Sequence, residues 1–227
     1  MKRNRIFRGL LQAAVVGVTV ASLLCGCSKG PTIVDSSQGC VDKDSGITYV
    51  HAPMCYEPVA LGEQYGSLKV GDKITYALHE IDGMDRARWL STEVGDVLYA
   101  EGTHLPTLTE MKPVRLRICM DGATVVEVLC MDDAKTVQAV AARYEEGDAV
   151  TKPSQSAPVQ YTVRFVSEEY PGLYYTLTYL EYASSVEENG VDYGRYFLYD
   201  RMSGRLSAVG SAIHNALNGI GDKTGNV

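Results

Sequence analysis

Val114-Arg-Leu-Arg-Ile-Cys-Met120 runs into Asp121-Gly122 and out again through Thr124-Val-Val-Glu-Val-Leu-Cys130. Two β-rich runs flank a dipeptide that accepts the positive backbone φ of a tight turn, so the stretch reads as an antiparallel hairpin. Leu116, Ile118 and Met120 alternate with Arg115 and Arg117. Neighbouring side chains leave a strand on opposite faces, so one face is apolar and the other mixed. The apolar face needs a cover. Asp132-Asp133 stands at the cap of the run Ala134 to Glu146, in which Ala134, Val137, Ala141 and Tyr144 recur at helical spacing, and Gly147 stands where such a helix stops. A hairpin followed by an amphipathic helix sets the expected class: α+β, antiparallel β-strands packed against two short helices.

Working outward, Lys73 to Ile81, Trp89 to Val94 and Val97 to Ala100 read as strands before the hairpin. After it come Tyr161 to Ser167, Leu173 to Ala183, Arg195 to Asp200 and Arg205 to Val209, with turns at Tyr170-Pro171-Gly172 and Met202-Ser203-Gly204. A second helix is expected from a Ser211 cap through Asn218, with Ile213, Ala216 and Leu217 on one side. Thr151 to Pro158 has linker composition. The expected organisation is a leader over 1–26, a tether over 27–39, a strands-plus-helix block over 40–150, a linker over 151–158 and a second block over 159–227. The second block is too small to be stable alone and should pack on the first.

The leader carries its own signal. Lys2, Arg3, Arg5 and Arg8 precede a mostly apolar run from Gly9 to Leu24, short for a spanning helix, which ends in Leu24-Cys25-Gly26-Cys27. That ending resembles the lipobox of bacterial lipoproteins. Cys27, preceded by the small Gly26, fits the modified position; Cys25, preceded by Leu24, does not. The resemblance covers the leader alone. It implies cleavage before Cys27, a diacylglycerol on its thiol and a body lipid-anchored to the cell membrane on the extracytoplasmic side. Two acyl chains hold a protein on a bilayer where one is marginal.

Residues 1–26 hold four of the 21 basic residues and none of the 28 acidic ones, so the remainder carries 17 basic against 28 acidic, a net charge of −11. Nucleic acid is therefore not an expected partner. Four cysteines follow Cys27 in what reads as an oxidising compartment. Cys40 and Cys55 bracket a turn-rich segment and are expected to form a disulfide, which would contribute about 3 kcal/mol for a loop of that size. Cys119 and Cys130, several ladder positions apart if the Asp121-Gly122 turn is two residues long, are expected not to bridge each other. Without a CxxC pair or nearby histidines, no metal site is expected.

Motifs for chemistry are sparse. His79-Glu80 is not completed as HExxH, because Gly83 stands in the fifth position. Asp42, Asp44 and Gly46 read as turn chemistry and not as a calcium loop. There is no G-x-S-x-G elbow and no phosphate loop, so no cofactor is expected and no catalytic residue is assigned. Nine of the fifteen tyrosines lie between Tyr161 and Tyr199. On one strand, Tyr175 and Tyr179 share a side and Tyr174 and Tyr182 share the other, which makes these four the candidate binding residues. The expected function is a binding or interaction module for a protein, peptide or glycan. The alternative is an envelope hydrolase that pairs the acidic turn Glu80 to Asp85 with His79 or His104.

Overall fold

One parallel contact closes the first half of the chain into a ring. The computed structural model describes residues 30–37, 39–120 and 124–224, with backbone alone for 220–224. Cys27, the leader and the Asp121-Gly122 turn lie outside the described residues. The first half contains β1 (Thr32–Ser36), β2 (Gly39–Val41), β3 (Thr48–His51), β4 (Tyr56–Pro58), β5 (Leu61–Val70), β6 (Ile74–Ile81), β7 (Trp89–Thr92) and β8 (Val97–Ala100). All but β4 form a closed barrel in the order β1-β2-β3-β8-β7-β6-β5. β1 runs parallel to β5, from Thr32 opposite Ser67 to Asp35 opposite Val70, and the other ring contacts are antiparallel. Closure leaves no strand edge open. Ile33, Tyr49, Leu68, Leu78, Leu90 and Leu98 are buried together as the barrel core. Gly66 is required at the seam: a Cβ there would lie inside contact with the Pro31 carbonyl oxygen, which accepts the Ser67 N–H at 3.0 Å.

The second half is an open sheet. Its strands are β9 (Arg115–Met120), β10 (Val126–Met131), β11 (Val159–Val166), β12 (Leu173–Glu181), β15 (Tyr196–Tyr199) and β16 (Leu206–Ala208), while β13 (Glu187–Glu188) and β14 (Val191–Asp192) form a separate small hairpin. The order is β10-β9-β11-β12-β15-β16, with β4 also paired to β12. β11 pairs with β9 on one side and β12 on the other, so the sheet continues across residues 151–158. Helices α1 (Ala134–Glu146) and α2 (Ala212–Thr224) cover one face. Val137, Val140, Ala141 and Tyr144 of α1 pack on Leu116, Ile118, Val163, Phe165 and Leu177 of the sheet. Full burial of each large apolar side chain contributes about 1.5–3 kcal/mol.

Barrel and sheet share a core. Tyr56, Ile81, Trp89, Met111 and Leu173 form one cluster between them, and the Tyr56 hydroxyl donates to the Pro106 carbonyl. Every residue of β7 is buried: Leu90 belongs to the barrel core and Trp89 to this junction. The described residues from 31 onward form one compact unit.

Two expectations are corrected. The class is not α+β: sixteen strands against two short helices make the described chain mainly β, a closed barrel joined to a second sheet. The difference arises in residues 32–58, whose strands are three to five residues long and include two that take distant partners, β1 beside β5 and β3 beside β8. The hairpin register also differs. Met120 pairs with Val126 and Cys130 with Arg117, with a bulge between Glu127 and Leu129, so the connection is longer than two residues.

Candidate functional site

β12 presents two faces. Leu177 and Tyr179 lie in the core under the helices, and Thr176, Thr178 and Leu180 alternate onto the far face, where three adjoining clefts form a groove. The first, about 540 Å³, lies against the barrel and is lined by His51, Met54, Glu57, Val94 and Arg164. A second, about 200 Å³, shares Met54, Glu57 and Arg164 with it and adds Thr176, Thr178 and Arg201. The third, about 610 Å³, shares Thr178, Tyr199 and Arg201 with the second and is walled by residues 152–157, Gln160 and Tyr182.

Charge in the groove is uneven. Arg164 Nε donates to Glu57 Oε2 at 2.9 Å, and its guanidinium lies 5.5 Å from the centre of the Tyr174 ring. Arg201 Nε donates to Thr178 Oγ1 at 3.0 Å, and Lys152 Nζ stands 4.2 Å over the ring of Tyr199. Among the described residues neither Arg201 nor Lys152 has an ion pair. No carboxylate side chain lines the third cleft. Thr176 Oγ1 and Tyr182 OH are buried without a hydrogen-bond partner among the described residues, and both residues line the groove. A buried hydroxyl left unsatisfied costs about 1–3 kcal/mol. Met54 and Met202, 66% and 62% exposed, border the second cleft.

A second constellation lies at one mouth of the barrel. Asp35 on β1 is opposite Cys40 on β2; Cys40 is opposite Tyr49 on β3, and His51 is two residues further along β3. The period of two puts all four on the face that lines the barrel. Cys40 Sγ is 3.6 Å from Asp35 Oδ1 and 3.7 Å from His51 Nε2, and that nitrogen is 3.7 Å from Asp35 Oδ2. Cys40 is fully buried, while the side chains of Asp35 and His51 keep 28% and 46% of their exposure. Burial first, and then the Asp35 carboxylate, push the Cys40 thiol up to about 12. Cys40 and Cys55, the pair expected to bridge, are free thiols that sit in the barrel core and the junction cluster respectively. Cys119 and Cys130 are not joined by a disulfide either.

The four candidate tyrosines are packed on both sides of β12. Tyr179 is in the helix-side core, and Tyr182 stacks edge-on against Phe197 at 5.7 Å on the other side. Tyr174 is buried under Arg117 and Arg164, and the half-buried Tyr175 meets Tyr56 edge-on at 5.2 Å. Of the four, only Tyr182 is among the residues lining the groove.

The histidines of the hydrolase alternative have other neighbours. His79 Nδ1 lies 3.2 Å from the Gly62 carbonyl oxygen, and Glu80 is bonded to Arg86 at 3.2 Å. His104, 71% exposed, pairs with Glu110 at 2.9 Å at a separate cleft of about 430 Å³ that it lines with Arg88, Glu101 and Tyr170, apart from the acidic turn. His214 Nδ1 is 3.0 Å from Glu181, which also receives Arg195 at 3.2 Å and ties α2 to the sheet.

Neither family models, curated proteins nor solved structures match the chain. No helix among the described residues is long and apolar enough to cross a membrane.

Proposed function

We propose that this chain is a lipid-anchored extracytoplasmic binding module, attached to the cell membrane through Cys27, that holds an extended acidic segment of a partner protein in the groove across its second sheet. One observation carries the reading: in a chain of net charge −7, Arg201 and Lys152 stand without ion pairs at a 610 Å³ cleft that has no carboxylate. A carboxylate of the partner meets both cations there, and charge-assisted hydrogen bonds of this kind contribute about 1.5–3 kcal/mol each. Exposed Met54 and Met202 supply apolar contact that adapts to different side chains. The leader sequence supports the anchor and the location.

Fluorescence anisotropy on the full chain in detergent, with acidic, neutral and basic extended peptides and acidic oligosaccharides as probes, tests the reading. Acidic peptides should bind best. Arg201→Ala should weaken them about tenfold, equivalent to about 1.4 kcal/mol. Unchanged binding by Arg201→Ala, or consistent preference for the oligosaccharides, would refute the peptide reading.

A further inference from the structure

We infer that Asp35, Cys40 and His51 form a mononuclear site for a borderline divalent cation of the zinc type at the mouth of the barrel. The inference stands apart from the occupant of the groove. Sulfur, imidazole nitrogen and carboxylate oxygen atoms of the three residues all lie within 4.8 Å of one another. Metal–sulfur bonds of about 2.3 Å and metal–nitrogen or metal–oxygen bonds of about 2.0–2.2 Å in a tetrahedron place neighbouring ligand atoms about 3.3–3.6 Å apart. Cys40 Sγ and His51 Nε2 are 3.7 Å apart, Asp35 meets the sulfur through Oδ1 at 3.6 Å and the imidazole through Oδ2 at 3.7 Å, and a turn of the carboxylate that brings one oxygen between them puts the three onto one ion.

A cysteine nucleophile with a histidine base explains the cluster less well. In such a triad the two ring nitrogens divide the work, one facing the nucleophile and the other the carboxylate. Here the same atom, His51 Nε2, faces both Cys40 Sγ and Asp35 Oδ2. Cys40 is fully buried, which closes it to a substrate carbonyl, whereas an ion between the three ligands is approached past the half-exposed Asp35 and His51. Convergence on a shared point is the geometry of ligation.

The ligand set also selects the ion. Thiolate and imidazole suit zinc or cobalt over magnesium or calcium. A thiolate and a carboxylate together neutralise a dipositive ion, so occupancy leaves no net charge at the edge of an apolar core. Binding forms the metal–sulfur bond and releases the thiol proton to solvent, one proton per ion. Strand pairing fixes the spacing before any ion arrives, since the three ligands sit on adjacent hydrogen-bonded strands. Three protein ligands leave a fourth position, and His51 lines the 540 Å³ cleft that opens beside it.

Cobalt(II) titration of the reduced, metal-stripped full chain in detergent tests the site through absorption. Expected are a near-ultraviolet thiolate-to-cobalt charge-transfer band and visible ligand-field bands that saturate at one ion per chain and vanish when zinc is added. Cys40→Ser should abolish the charge-transfer band. His51→Ala, at a half-exposed position where the fold tolerates truncation, should weaken cobalt about 100-fold, and Asp35→Asn about tenfold. The inference is overturned if no band appears, if the band persists in Cys40→Ser, or if His51→Ala binds cobalt like the wild type. Peptide mapping that finds Cys40 disulfide-bonded to Cys55 in the exported protein would overturn it equally.

Discussion

Asp42 shows how one side chain can fix a turn and a core together. It is wholly buried, yet it accepts hydrogen bonds from the Tyr65 hydroxyl at 2.6 Å, the Ser45 hydroxyl at 2.7 Å and the Asp44 N–H at 2.9 Å. Burial opposes its charge, but these bonds outweigh that effect and hold the carboxyl below its usual range. A depressed folded value means that the ionised group stabilises the fold fully above about pH 4, the unfolded value, and that this contribution fades as pH falls through the lower folded value. Asp42→Asn is therefore expected to lose about 2 kcal/mol at pH 7 and to narrow the gap from wild type at pH 3, as measured by urea unfolding at both pH values. The turn at Asp42, Asp44 and Gly46 was legible in sequence because Asx chemistry is local. The Asp35, Cys40 and His51 constellation was not: its members stand five and eleven residues apart, and only the register of three strands makes them neighbours.

At the scale of elements, legibility followed the range of the stabilising contact. β6, β8, β9 and α1 could be read because alternation, turn residues and caps lie within each segment. β1, β2 and β3 span three to five residues each, and β5, Leu61–Val70, is broken by Gly62 and Gly66. Their partners are remote, so no local pattern marks them. The groove was hidden for the same reason: Met54, Lys152, Arg164 and Arg201 come from four separate stretches of chain. The β1–β5 seam offers a direct test. Gly66→Ala drives a methyl group into the Pro31 carbonyl oxygen and is expected to cost about 1–3 kcal/mol, read as a lowered thermal midpoint by circular dichroism. A variant as stable as the wild type would mean that the close approach of β1 to β5 is absent in solution.

The described residues from 31 onward are expected to unfold as one cooperative body, because the junction cluster belongs equally to barrel and sheet. Trp89, the sole tryptophan, sits 3% exposed in that cluster. Its fluorescence should change at the same urea concentration as the far-ultraviolet dichroism; two separated transitions would show that barrel and sheet unfold independently. The same architecture concentrates a vulnerability. β1 is five residues long and is the piece that joins β2 to β5. Withdraw it and the ring becomes an open sheet with two bare borders, each shaped to receive the segment that left. An identical segment from another molecule fits that slot as well as its own, so a copy that lost β1 by proteolysis after Ser36 would offer its vacant slot to the β1 of an intact neighbour.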